Sequence, residues 1–229
     1  MHGEVSTMDQ AVLIPAGEAE LAGDLSIPAD AVGLVVFAHG SGSSRSSPRN
    51  RQVADVLHGR RLATLLFDLL TEEEAAIDDR TGQLRFDIGF LGKRLIAATD
   101  WLHTQAAVAD RAIGYFGAST GAAAALVAAA NRQDVVRAVV SRGGRPDLAM
   151  PALAQVRAPT LLIVGGDDSD VIPLNQRAFR ELQTPKELVL VEGATHLFEE
   201  TGAMDQVAKL AADWLERWLG AAAVSRPVA

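Results

Sequence analysis

Six short apolar runs recur along the chain: "VGLVVFAHG" (32–40), "LATLLFDLL" (62–70), "AIGYFGA" (112–118), "VVRAVVSRGG" (135–144), "APTLLIVGG" (158–166) and "KELVLVEG" (186–193). They are β-branched or leucine-rich and continuous rather than alternating. Such runs suit strands covered on both faces, as in a parallel sheet. Between them lie stretches with helical spacing: Asn50–Arg61, Ile88–Thr104, Gly121–Asn131, Pro151–Val156, Ile172–Leu182 and Met204–Leu219. Asp87 stands where a cap for the second of these belongs, with Leu91, Leu95, Ile96, Thr99 and Leu102 on one face. Ahead of the alternation, Val12–Ile14 and Glu20–Ile27 flank "PAGEA" and read as a hairpin. The pattern predicts one α/β domain over residues 1–220, with a mostly parallel sheet of about seven to eight strands and helices on both faces. "AAAVSRPVA" (221–229) reads as a frayed tail, and "TEEEAAIDDRTGQ" (71–83) as a charged surface excursion too short for a cap domain.

In such sheets ligands bind beyond the carboxyl ends of the strands. Six loops then matter: "HGSGSS", "DLLTEE", "GASTG", "SRGGR", "GGDDSD" and "GATH". Gly117-Ala118-Ser119-Thr120-Gly121 fits G-x-S-x-G, with a strand before it and an alanine-rich helix after it. A turn that sharp forces the serine backbone toward strain, and the two glycines remove side chains that would clash. An N-capping role would account for Ser119 but not for both glycines. The N–H of Thr120 would lie at a helix N-terminus, where it can face a developing negative charge.

A serine hydroxyl needs a base. His2 is in a tail, and His58 and His103 lie within predicted helices. His39 ends a strand close to the crevice. His196, in the loop after the last strand, reaches over the carboxyl edge and is the base candidate. Asp167, Asp168 and Asp170 follow "TLLIV" and supply the acid that orients it; spacing alone does not choose among them. Three acids in four residues also resemble a metal loop, but "DDSDV" lacks the glycine and the distal glutamate of a calcium loop.

These residues carry a resemblance. "HGSGSSRSSPRN", "FDLLTEEE", "FDIGFLGKRLIAATDWL", "GYFGASTGAAAAL", "SRGGRPDLA", "LLIVGGDD" and "GATHLFEE" occur in an order that resembles the α/β-hydrolase superfamily, most closely its dienelactone hydrolase-like branch. The resemblance implies an α/β-hydrolase fold without a large cap. It also implies Ser119 as nucleophile, His196 as base and Asp168, three residues after Gly165, as its orienter. It further implies oxyanion donors from the backbone N–H groups of Thr120 and Ser41, with Gly42 the alternative to Ser41. Dienelactone hydrolases often use cysteine as nucleophile; this chain has serine and no cysteine, so lactone specificity does not carry over. Some relatives are fused to a phosphoribosyltransferase domain, and no phosphoribosyl-binding loop is found here.

The implied activity is a serine carboxylesterase acting on small or short-chain esters, with no cofactor and no metal. Lactonase, thioesterase or perhydrolase activity would use the same triad, and a non-catalytic binding module would keep only the fold. Arg142 and Arg145, in "SRGGRPD", are candidates to bind a substrate carboxylate, against the alternative of a salt bridge to Asp147 or to the "DDSD" acids. Leu70, Phe86, Phe90 and Phe198 are candidate acyl-pocket residues, and core packing accounts for them equally well. A net charge of −8 argues against nucleic acid as a partner, and Arg45, Arg49, Arg51, Arg60 and Arg61 read as a solvated helix face. With no membrane span of about 20 apolar residues and no signal peptide in "MHGEVSTMDQ", the expected setting is cytoplasmic, with a small-molecule ester as the partner. Oligomeric state is not encoded in any feature of the sequence.

Overall fold

The computed structural model describes residues 7–220; His2 and the segment 221–229 lie outside it. The hairpin is formed by β1 (Thr7–Ala16) and β2 (Ala19–Pro28), longer than the apolar pattern implied and joined through Gly17 at φ 72°. The runs that follow give β3 (Gly33–Ala38), β4 (Leu62–Phe67), β5 (Ala112–Ala118), β6 (Val136–Arg142), β7 (Thr160–Gly165) and β8 (Lys186–Val191). They form one sheet of order β1-β2-β4-β3-β5-β6-β7-β8. β2 pairs antiparallel with β1 and β4; all later pairings are parallel.

The strand order sets where the site falls. From β3 the chain goes to β4 on one side, and later places β5 on the other. The loops leaving β3 and β5 therefore diverge and open a crevice between their ends.

Helices α1 (Pro48–His58) and α7 (Ala203–Leu219) cover one face around Phe37, Phe116 and Val140. Helices α3 (Ile88–Leu102), α4 (Thr120–Asn131), the short α5 (Met150–Leu153) and α6 (Ile172–Glu181) cover the other. The alanines of α4 are buried nearly all round, because only small side chains let this helix sit so close to the sheet and to α3. Asp87 caps α3 through Phe90 N–H at 2.9 Å. No helix among the described residues is long and apolar enough to cross a membrane.

The excursion 71–83 is not an irregular loop. It contains helix α2 (Glu72–Thr81), closed by a reciprocal cap in which Thr71 Oγ1 accepts from Glu74 N–H and Glu74 Oε2 accepts from Thr71 N–H. Asp78, buried inside it, accepts from the N–H groups of Leu84 and Arg85 and from Arg85 Nε at 2.5 Å. Glu74 bridges to Arg94 on α3 at 2.5 Å. The arginines of the 45–61 stretch are likewise paired rather than simply solvated: Arg45 with Asp68, Arg51 with Asp24, and Arg60 with Asp213 and Glu216.

Candidate active site

At the end of β5, Ser119 adopts φ 50°, ψ −120°, a left-handed backbone that costs a non-glycine residue roughly 1–3 kcal/mol. Three backbone hydrogen bonds hold it there. Its N–H donates to Arg142 O at 3.2 Å, and its carbonyl accepts from Ala122 N–H at 3.1 Å and Arg145 N–H at 3.0 Å. The flanking glycines are required by contact. A Cβ on Gly117 would lie 2.4 Å from Ala122 Cα, and one on Gly121 would lie 2.2 Å from Ala38 O. Ser119 stands at the N-cap position of α4, yet its side chain caps nothing. Among the described residues none, His196 included, hydrogen-bonds to the Ser119 hydroxyl.

His196 Nδ1 lies 2.7 Å from Asp168 Oδ2. A carboxylate only accepts, so Nδ1 carries the hydrogen, and in the neutral tautomer this selects, Nε2 is the ring's acceptor. Of the three aspartates in the loop, Asp168 alone is turned inward; Asp167 and Asp170 are exposed. Close passage of the loops brings acid and imidazole together. Asp167 N–H donates to Ala194 O at 3.0 Å, and a Cβ on Gly165 would lie 2.4 Å from the same oxygen. The His196 loop in turn rests on the end of β6: a Cβ on Gly143 would lie 3.0 Å from His196 O and 3.6 Å from His196 Cε1. Gly143 adjoins Arg142, whose carbonyl receives the Ser119 N–H. On the opposite side, a Cβ on Gly40 would lie 3.1 Å from Ser119 Cβ. Among the described residues, no three His, Asp or Glu side chains are grouped as a metal site.

The other described histidines have structural partners. His58 bonds Thr64 Oγ1 at 2.8 Å and His103 bonds Ala109 O at 3.1 Å. His39 Nε2 accepts from Leu69 N–H at 3.0 Å, so its Nδ1–H donates to Gly40 O at 2.9 Å, tying the ends of β3 and β4 together. Burial holds the His39 imidazole below its ordinary value of 6.5, against smaller opposing effects of Gly40 and Asp68. The unfolded chain therefore takes up this proton first as the pH falls. The stability that the neutral ring contributes is complete above about pH 6.5 and is lost as the pH falls from there to the lowered folded value. Urea unfolding at stepped pH is expected to show this loss, with His39 contributing up to about 1.4 kcal/mol per pH unit inside the window. His39→Gln keeps an acceptor for Leu69 N–H and should flatten the dependence; an unchanged slope would remove His39 as its source. His58, also lowered chiefly by burial, acts with the same sign.

Among the oxyanion candidates, Thr120 begins α4, where helix geometry leaves its N–H without an intrahelical acceptor. Ser41 N–H donates to Thr120 Oγ1 at 3.0 Å. Gly42 has φ 69°. The adjoining cavity, about 480 Å³, is lined by His39–Ser44, Arg49, Leu69, Leu70, Asp78, Arg85, Leu91 and Thr120. Leu70 is thus the only one of the four expected acyl-pocket residues that lines it. Phe86 is exposed, Phe90 lies under the Arg94 guanidinium, and Phe198 is buried in the core at φ 56°. Neither this cavity nor a larger hollow of about 730 Å³ beside β1, β2 and α2 is lined by Ser119, Asp168 or His196.

The two candidate substrate arginines part company. Arg145 makes a two-pronged pair with Asp147, Nε–Oδ1 and Nη2–Oδ2 both 2.8 Å, the salt-bridge alternative weighed for it. Arg142 is 7% exposed and meets no carboxylate among the described residues. Its guanidinium lies 5.9 Å from the Phe198 ring centre and Nη1 lies 3.9 Å from Met204 Sδ, while Nε has no hydrogen-bond partner among the described residues. Burial, and then the charge of Arg49, push it down to about 10.

Strand order, the strained serine turn and the helices on both faces define an α/β-hydrolase fold. Within that class, the dienelactone hydrolase family model matches residues 51–221, and the chain belongs to this family. A crystal structure of a dienelactone hydrolase from Anabaena variabilis is 59% identical, with a TM-score of 0.91, covering 93% of this chain and 99% of that one. A Mycobacterium tuberculosis protein described as a putative phosphoribosyl transferase is 59% identical over 206 residues, covering 90% of this chain and 46% of its own length. The chain therefore spans about half the length of the curated relatives it matches at that identity. An esterase of Pyrococcus furiosus, 18% identical with a TM-score of 0.77 over 95% of this chain and 94% of its own, shares the fold.

Proposed function

We propose that this chain is a serine hydrolase that cleaves small or short-chain carboxylic esters through an acyl-enzyme on Ser119. The observation that carries the reading is the 2.7 Å contact of His196 Nδ1 with Asp168, which leaves Nε2 as a base on a loop resting against the strand end that holds Ser119. Ser119 Oγ attacks the ester carbonyl and passes its proton to His196 Nε2 as the carbonyl electron pair moves onto oxygen. Collapse of the tetrahedral species breaks the bond to the alcohol, which leaves with the proton from His196. Water, deprotonated by the same imidazole, attacks the acyl carbonyl; collapse releases the carboxylic acid and returns the proton to Ser119. Among the described residues no element forms a large cap, and an open crevice favours short acyl groups over long ones.

A panel of p-nitrophenyl esters of increasing chain length, with a neutral lactone and a thioester alongside, tests this. Saturable turnover that is greatest on the shortest esters is expected; no turnover on any ester would refute the reading. Arg142 supplies a second test. A guanidinium buried without a carboxylate is costly, and stacking on Phe198 offsets only about 0.5–2 kcal/mol. Its charge then favours substrates that bring an anionic group to the crevice. Arg142→Met, which keeps the volume, is expected to raise KM for a carboxylate-bearing ester about tenfold or more and to leave a neutral ester of equal size within about threefold. Equal effects on both would assign Arg142 a packing role only.

A further inference from the structure

The hydrogen bond between Ser41 and Thr120 has a chemical consequence. An N–H has one hydrogen, and that of Ser41 is committed to Thr120 Oγ1 at 3.0 Å. A hydroxyl that accepts through a lone pair keeps its own hydrogen to donate, and no described residue accepts one from Thr120. Thr120 is 2% exposed, so it has little access to bulk water, and what surface it has lines the cavity formed by the 39–44 loop, Leu69, Leu70 and Leu91. The same residue stands first in α4, directly after Ser119, with its backbone N–H unspent. We propose that Thr120 supplies two oxyanion donors, its backbone N–H and its side-chain O–H, and that Ser41 N–H polarises the hydroxyl and fixes its rotamer without touching substrate. A donor whose oxygen already accepts a hydrogen bond is strengthened by it. β-Branching limits χ1 at position 120, so a single bond from Ser41 suffices to aim the group. Nothing but a hydroxyl one bond from Cβ meets both demands, which makes threonine and serine the competent residues here.

This inference rests on the acyl-serine reading, and the experiment separates the two. The wild type, Thr120→Val, Thr120→Ala and Thr120→Ser are compared for kcat and KM on one short neutral ester, and for the affinity of an alkyl trifluoromethyl ketone, which adds to Ser119 and places an oxyanion in the hole. Valine keeps the shape and removes the hydroxyl; alanine is the substitute should valine fail to fold, as judged by the thermal midpoint. The expected result is a fall of about 10²–10³ in kcat for Thr120→Val or Thr120→Ala. The ketone affinity should fall in parallel, KM should stay within about threefold, and Thr120→Ser should recover most of the loss. Wild-type kcat and ketone affinity in the hydroxyl-free variants would overturn the proposal. So would a loss carried in KM and thermal stability that serine does not restore, which would mark the bond as loop scaffolding. A wild type that turns over no ester and binds no ketone would overturn the functional reading and this one with it, whereas an active wild type with unaffected variants would overturn this one alone.

Discussion

Replacing Ser119 by alanine is expected to lower kcat on a short ester by on the order of 10⁴- to 10⁶-fold, with the folded state intact. Residual turnover would come from the oxyanion donors acting on water. Alanine at φ 50° bears the same backbone strain as serine, so the unfolding midpoint should move little. Ser119→Gly should be equally inactive and more stable than alanine, because glycine reaches this backbone region without steric cost. Steady-state kinetics and urea unfolding of the two variants measure both effects. A Ser119→Ala protein with activity within tenfold of wild type would remove Ser119 from the chemistry. A glycine variant no more stable than alanine would show that the turn stores no strain.

The largest stability effect is expected at Gly121. A Cβ there would meet Ala38 O at 2.2 Å and His39 O at 2.4 Å, both backbone atoms at the end of β3, which cannot rotate away. The helix start would have to leave the sheet, and with it the turn that holds Ser119. Gly121→Ala is therefore expected to cost more than about 3 kcal/mol or to prevent the folded protein from accumulating. Gly202→Ala is the control. Its φ is 79° but nothing lies within 4 Å of the added carbon, so only the backbone cost of about 1 kcal/mol applies. Urea denaturation of the two variants decides it; similar losses at both sites would show that close approach is not what fixes glycine at 121.

The difference between these glycines also shows which parts of the molecule were legible in the sequence. The sheet was readable because continuous apolar runs leave few other places for a strand, and the start of α3 because Asp87 precedes a clear helical face. Helix α2 is hard to see in the sequence because its residues are charged and it has only a weak apolar face; its one local signal is the Thr71-x-x-Glu74 spacing, a reciprocal cap. Ser119 stood out through local steric demands that two nearby glycines satisfy. The choice among Asp167, Asp168 and Asp170 depends on how the chain turns after β7, which spacing alone does not fix. The burial of Arg142 depends on Phe198 and Met204 coming down over the end of β6, and the Ser41–Thr120 bond joins residues 79 positions apart. Both are products of the assembled sheet and leave no local trace.

In the proposed reaction the Ser119 hydroxyl becomes a nucleophile because Asp168 and His196 make it one. Intact-mass analysis after reaction with a fluorophosphonate, followed by peptide mapping and timed labelling, tests it most directly. One equivalent of phosphonyl group on Ser119 is predicted, with labelling slowed at least a hundredfold in His196→Ala and substantially in Asp168→Asn. No adduct, an adduct on another residue, or labelling of His196→Ala at the wild-type rate would contradict it.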